Sequence, residues 1–226
     1  MSSPDLQDFI AIHPDPSTLK TREPQDHLLL FHITGNPGLA EYYRPFLALC
    51  YDSLRDNLTV PKIGKQRRVA VHIQSTSLAG FELSSRPPAS LVKLHGPGPY
   101  GLAQQVDHID LALARAIDAV ETLKRPNEAV KVVLVGHSVG AFILLEVLSR
   151  RRERARRAGP KLTEASIIGG VCLFPTVVDL SKSPRGRIFG VSRLILYPFH
   201  RISSSSLQQI LVYRQDSGLI SASGCL

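Results

Sequence analysis

Ser138 is the residue of this sequence best placed for covalent chemistry. It lies in Gly136-His137-Ser138-Val139-Gly140, a G-x-S-x-G pentad. Between a strand and a helix, such a pentad forms a nucleophile elbow. The serine tops a sharp, strained turn, and the flanking glycines, lacking Cβ, let strand and helix close around it. The N–H of Val139, at the start of the following helix, is placed to stabilise an oxyanion. A serine hydroxyl is a poor nucleophile by itself. It needs a base, normally a histidine, and a carboxylate to orient that base. After Ser138 the only histidine is His200, preceded by Glu146, Glu153, Glu164 and Asp179. Asp179 and His200 are the pair to consider, but only a short apolar, proline-containing stretch separates them. The sequence favours a loop Asp and an exposed His over a triad pair. His137 is adjacent to Ser138 and points elsewhere, so it is not read as the base.

A second stretch suits the same chemistry. Gly35-Asn36-Pro37-Gly38 follows an apolar run and precedes a helical one. In an α/β-hydrolase the second oxyanion N–H comes from this position. Gly35 or Asn36 is the candidate donor, because Pro37 has no N–H. Nothing resembles a metal-ligand set, and the expected chemistry needs no cofactor. The three cysteines, Cys50, Cys172 and Cys225, are widely spaced and odd in number. Cys50 and Cys172 lie in apolar runs and read as buried free thiols in a reducing compartment.

These residues need elements to position them. Lys131–Val135 is an apolar, β-branched strand, and Ala141–Leu148 is an unbroken apolar helix, so the pentad has the required context. His27–Ile33 and Arg68–Gln74 read as two more buried strands, and Ile167–Phe174 as a fourth. Glu41–Arg55 reads as a helix with Tyr42, Tyr43, Phe46, Leu47 and Leu49 on its buried face. Leu102–Lys124 reads as a long helix with Val106, Ile109, Leu113, Ile117, Val120 and Leu123 on one stripe, closed by Arg125-Pro126. Alternating strands and helices predict an α/β fold, a mostly parallel sheet with helices on both faces. Ligand sites in such sheets sit at the carboxyl ends of strands. Residues 34–39, 136–140 and 175–186 lie there.

The predicted organisation is an N-terminal arm at 1–26 with a short strand at Phe9–His13, then a core at 27–175. A lid or membrane-contacting segment follows at 176–202, and a poorly structured, serine-rich tail at 203–226. The 226 residues are 43% hydrophobic and 20% charged, with a net charge of +8. That balance favours anionic partners. Nucleic acid is the weaker one, for there is no RNA-binding signature, no aromatic interleaving of the basic residues and no Trp. Ser149–Lys161 carries seven basic residues and one acid. It reads first as the solvated end of a helix and second as a phosphate-attracting patch. The apolar segment Ile188–Phe199 is too short to span a bilayer and reads equally as a packed lid or an interfacial segment. No secretory signal is expected from the polar N-terminus, and a soluble or peripheral protein follows.

Three blocks together resemble the lipid droplet-associated hydrolase family: Gly35-Asn-Pro-Gly-Leu39 with Tyr42, Tyr43 and Phe46; Gly136-His-Ser-Val-Gly-Ala141; and Leu173-Phe-Pro-Thr176 with Ser183-Pro-Arg-Gly186. The resemblance covers roughly residues 25–200. It implies an α/β-hydrolase fold, Ser138 as nucleophile, an ester-lipid substrate such as a sterol ester, and a role in lipid storage and turnover. The implied location is the lipid droplet and the endoplasmic reticulum, on the cytosolic face. The family's acid and histidine lie in a C-terminal part that this chain does not match, so a fold incomplete at that end is expected. The alternative is a catalytically inactive protein of the same fold that binds a droplet or membrane surface.

Overall fold

A computed structural model describes residues 8–19, 25–58, 68–83, 92–93, 95–158, 166–175, 210–214 and 218–222. The described strands are β1 (Phe9–Ile12), β2 (Gln25–Ile33), β3 (Arg68–Thr76), β4 (Val130–His137), β5 (Ser166–Leu173), β6 (Ile210–Arg214) and β7 (Gly218–Ala222). They form one sheet in the order β1-β3-β2-β4-β5-β6-β7. The four central strands β3, β2, β4 and β5 run parallel. At one edge β1 pairs antiparallel with β3, and at the other β6 and β7 add an antiparallel pair. The α/β class and the mixed, largely parallel sheet agree with the sequence reading.

The described helices are the single turn α1 (Pro16–Leu19), α2 (Arg44–Leu58), α3 (Leu102–Glu121) and α4 (Val139–Ala158), with a 3-10 turn at Ala40–Tyr43 leading into α2. Pro45 falls in the first turn of α2, where no intrahelical N–H is required of it. Helices α3 and α4 cover one face of the sheet, around Leu29, Phe31, Ile33, Val132, Leu134, Ile143 and Leu144. Helix α2 covers the other with Ala40, Leu47, Ile10, Val71 and Ile73.

Two helix faces differ from the sequence reading. On α2 the inward stripe is Ala40, Tyr43, Leu47, Cys50, Tyr51 and Leu54. Tyr42, Phe46 and Leu49 point outward, with Tyr42 67% and Leu49 71% exposed. Both stripes are apolar, so periodicity alone could not choose the register. The stripe of α3 is buried as expected from Val106 to Val120, but the helix closes at Glu121 and leaves Leu123 44% exposed.

At the N-terminal end, β1 is the short strand expected near Phe9–His13, placed at the sheet edge, while β2 already begins at Gln25, inside the stretch read as an arm; the other end differs more. Within 203–226, read as a poorly structured tail, Ile210-Leu-Val-Tyr-Arg214 pairs with β5, and Gly218–Ala222 pairs with it in turn. The surrounding serines set the composition there, whereas a β-branched and aromatic run needs only an open sheet edge to become a strand. The segment 176–202, with Asp179 and His200, lies outside the described residues, as do Cys225 and the serine run 203–206. Among the described residues no helix is long and apolar enough to cross a membrane.

From β2 the chain moves outward to β3, then returns past β2 to β4. The carboxyl ends of β2 and β4 are therefore a topological switch point, where open α/β sheets form their crevice. The loops after Ile33 and His137 meet there.

Candidate functional site

Ser138 has φ +54°, a left-handed conformation rare for a residue with a side chain. Such backbone costs about 1–3 kcal/mol and persists only where its surroundings over-determine it. They do so here. The Ser138 N–H donates to the Leu173 carbonyl at 2.9 Å, tying the turn to β5, and the Ala141 N–H donates to the Ser138 carbonyl at 3.0 Å, opening α4. A Cβ on Gly136 would lie 2.5 Å from the Gly140 carbonyl oxygen. A Cβ on Gly140 would run into the carbonyls of Ile33 and, at 2.5 Å, Thr34 at the end of β2. Both glycines are thus required by close backbone approach.

The loop after β2 packs directly on this turn. A Cβ on Gly35 would lie 2.5 Å from His137 Nδ1 and 3.1 Å from Ser138 Cβ. The Gly35 N–H donates to the Tyr43 hydroxyl at 3.0 Å, and that hydroxyl lies 2.8 Å from His137 Nδ1. Asn36 is exposed. The far end of the loop is tied down by the Leu78 N–H on the Gly38 carbonyl (2.7 Å) and the Ala40 N–H on the Ser77 hydroxyl (3.0 Å). Val139, the other expected oxyanion donor, is the first residue of α4. Ser138, Val139, Gly35 and Asn36 are therefore brought to one place, at the switch point. Phe174, also with positive φ (+47°), sets its ring edge against His137 at 5.9 Å.

Burial holds the polar groups of this site in their neutral forms. His32 is fully buried under the Tyr43 ring (centroids 4.4 Å apart). Burial, reinforced by the neighbouring His137, lowers its pKa to about 3. Burial also lowers the His137 pKa and raises that of the Tyr43 phenol. No sequence pattern announces the Tyr43–His137 contact. Its only trace is the register of α2, which places Tyr43 in line with the inward Ala40 and Leu47.

The basic run behaves as a braced helix end. Arg150 reaches Asp107 (2.7 Å) and Glu146 (3.2 Å), Arg151 reaches Asp110 at 2.6 Å, and Arg154 also binds Asp110. Arg156 and Arg157 pair with Glu153. These acids of α3 and α4 occupy the cations that the sequence alone offered to phosphate. His95 Nε2 lies 3.0 Å from Asp107, but this pair belongs with Arg150, roughly 18 Å along α4 from Ser138.

A second polar chain crosses the face of the sheet that α3 covers. His13 and His72 meet Nδ1 to Nδ1 at 3.0 Å, His72 Nε2 lies 2.9 Å from His27 Nδ1, and His27 Nε2 lies 3.4 Å from Glu128. A carboxylate only accepts, so His27 donates to Glu128, His72 donates to His27, and His13 donates to His72. Burial, then the adjacent His27 and His13, lowers the His72 pKa to about 3. Burial works against ionisation of Glu128, but the N–H groups of Arg125 and Gln25 and the Arg125 side chain outweigh it and bring its pKa to about 2. Among the described residues no cluster of His, Cys, Asp and Glu could hold a metal ion.

The family model described as lipid-droplet associated hydrolase matches residues 26–220, from β2 into β7. The lipid droplet-associated hydrolase of Rattus norvegicus is 30% identical over 165 residues, covering 70% of this chain and 41% of its own. That of Homo sapiens is 29% identical over 161 residues, covering 71% and 41%. That of Drosophila melanogaster is 31% identical over 165 residues, covering 73% and 44%. The chain spans less than half the length of these curated relatives. No solved structure matches.

Proposed function

The chain belongs to the lipid droplet-associated hydrolase family, and on that premise we propose that it is a serine hydrolase acting on ester lipids at lipid droplets, with Ser138 as its nucleophile. The observation that carries the reading is the left-handed Ser138 at the tip of the β4–α4 turn, locked by Gly136 and Gly140. Ser138 Oγ attacks the ester carbonyl carbon and gives its proton to a general base. The developing oxyanion is held by the Val139 N–H and by a second amide from the loop after β2. Of the two amides there, that of Gly35 is already engaged by Tyr43, so Asn36 is the better donor. Collapse expels the alcohol, which takes up the proton, and water then hydrolyses the acyl-serine to a fatty acid. The substrate class includes sterol esters. No cofactor enters this chemistry. The reading places the protein at the cytosolic surface of droplets and endoplasmic reticulum, peripherally attached.

One observation favours the second reading, a catalytically silent protein that binds a lipid surface. Tyr42, Phe46 and Leu49 form an exposed apolar stripe on the outer face of α2, beside the loop that flanks Ser138. The deciding experiment is the intact mass of the purified chain after incubation with a fluorophosphonate, alongside Ser138→Ala. One adduct on the wild type and none on the variant supports the hydrolase. A folded wild type with no adduct favours the silent surface protein.

A further inference from the structure

We propose that Tyr43 is a positioning residue for the reaction of Ser138, a strut that holds the candidate oxyanion loop at a fixed distance from the nucleophile. The inference rests on the reading of Ser138 as nucleophile and adds to it a residue outside the elbow and outside the loop.

The hydrogen-bond inventory fixes the direction of the strut. The Gly35 N–H can only donate, so the Tyr43 oxygen accepts it at 3.0 Å. The hydroxyl has one proton of its own, and the atom 2.8 Å away is His137 Nδ1. That proton is satisfied when His137 Nδ1 is bare and the imidazole carries its hydrogen on Nε2. The opposite arrangement would have the Tyr43 oxygen accept twice and leave its proton without use. Burial keeps the phenol protonated and the imidazole neutral, as this direction requires. One side chain thus joins the amide after β2 to the residue immediately before Ser138.

The strut is itself held. The Tyr43 ring rests on His32, which is fully buried and anchored 3.0 Å from the Ser75 hydroxyl on β3. Tyr43 is the last residue of the 3-10 turn, so its backbone continues directly into α2. The loop is then fixed at two points. Gly35 is fixed through Tyr43, and Gly38 and Ala40 through residues 77–78. Asn36 lies between these points. An oxyanion donor has to be placed to within about 0.5 Å to act, and Gly35, with no Cβ, allows the loop to touch Ser138 at all. Removing the hydroxyl frees the near end of the loop while leaving Ser138 and the ring packing in place. The loss therefore falls on the acylation step and not on binding of the acyl chain.

Tyr43→Phe keeps the ring on His32 and removes only the bridge. With a fluorophosphonate as probe, the expected result is a maximal labelling rate of Ser138 lowered about tenfold, with the half-saturating probe concentration changed by less than about twofold. His137→Ala is expected to lower the rate to a similar degree, and the double variant no further, since both cut the same bridge. Tyr51→Phe, a hydroxyl loss on the adjoining helix α2, is expected to label at the wild-type rate. On the wild type alone, long-range 15N–1H correlation of the imidazoles is expected to show His137 as the Nε2–H tautomer. An Nδ1–H tautomer overturns the proposal, and so does wild-type labelling of a folded Tyr43→Phe. A wild type that never labels removes the nucleophile reading, and the catalytic role of Tyr43 falls with it. The tautomer then reports the bridge as architecture only.

Discussion

Acidification from pH 7 to pH 5 should cost this fold a large share of its stability, and two histidines carry the largest part, with burial lowering the pKa of His13, His108 and His137 in the same direction. His32 and His72 are fully buried, each with its pKa lowered to about 3 against an ordinary value near 6.5. Between those values the unfolded chain binds a proton at each histidine and the folded chain does not. Stability therefore rises with pH across the window and falls as pH drops below about 6.5. One unit is worth about 1.4 kcal/mol, so at pH 5 each histidine costs about 2 kcal/mol and the pair about 4. A domain has about 5–15 kcal/mol in total. Glu128 acts in the same direction only later. Its pKa of about 2 gives stability that is lost as pH falls below about 4.5, which leaves the interval from 6.5 to 4.5 to the histidines. The assay is urea unfolding at pH 7.0 and 5.0 at fixed ionic strength, on wild type and His72→Asn. The variant is less stable at both values, but the difference between them should shrink by about 2 kcal/mol. A wild-type stability at pH 5 within about 1 kcal/mol of that at pH 7 would refute the reasoning, because the histidines would then titrate in the folded chain much as they do unfolded.

Gly140→Ala should destabilise the chain by about 3 kcal/mol or more, read as a shift of the urea midpoint, because its Cβ meets the carbonyls of Ile33 and Thr34, backbone atoms that no rotamer change can move. The same variant should lose fluorophosphonate labelling even where it remains folded. Glu128→Gln should cost about 2–3 kcal/mol in the same assay. The carboxylate is almost completely buried and accepts from the Gln25 and Arg125 backbone N–H groups, the Arg125 guanidinium and His27, and an amide keeps the shape but loses the charge-assisted bonds.

What the sequence made legible is what a local pattern encodes. Runs such as His27–Ile33 and Lys131–Val135 are apolar enough to be central strands, and they are. The G-x-S-x-G pentad between strand and helix forms a left-handed serine turn, and the loop at Gly35 packs beside it. The parts that stayed hidden depend on partners distant in sequence. Residues Ile210–Arg214 become a strand because the edge of β5 is open to them, which no composition within 203–226 reveals. Arg150, Arg151 and Arg154 look free in sequence and are met by Asp107 and Asp110 from another helix. The inward face of α2 was ambiguous because both Tyr42-Phe46-Leu49 and Tyr43-Leu47-Cys50 have helical spacing, and only contact with β1 and β3 selects the second. Asp179 and His200 fall outside the described residues.

The seating of Gly140 on the end of β2 also sets the order in which the molecule is made. The carbonyls of Ile33 and Thr34 and the turn they receive are separated by about a hundred residues of chain, with β3 and α3 in between. Contacts of such long sequence separation form late, after the loop between them has closed. As the chain is synthesised, the loop at Gly35 emerges well before Ser138 exists. Until β4 aligns beside β2, the turn at Ser138 lacks the backbone contact of Gly140 with Ile33 and Thr34 that helps hold it. The left-handed turn at Ser138 is thereby a marker of assembly: it is complete only when β4 lies between β2 and β5.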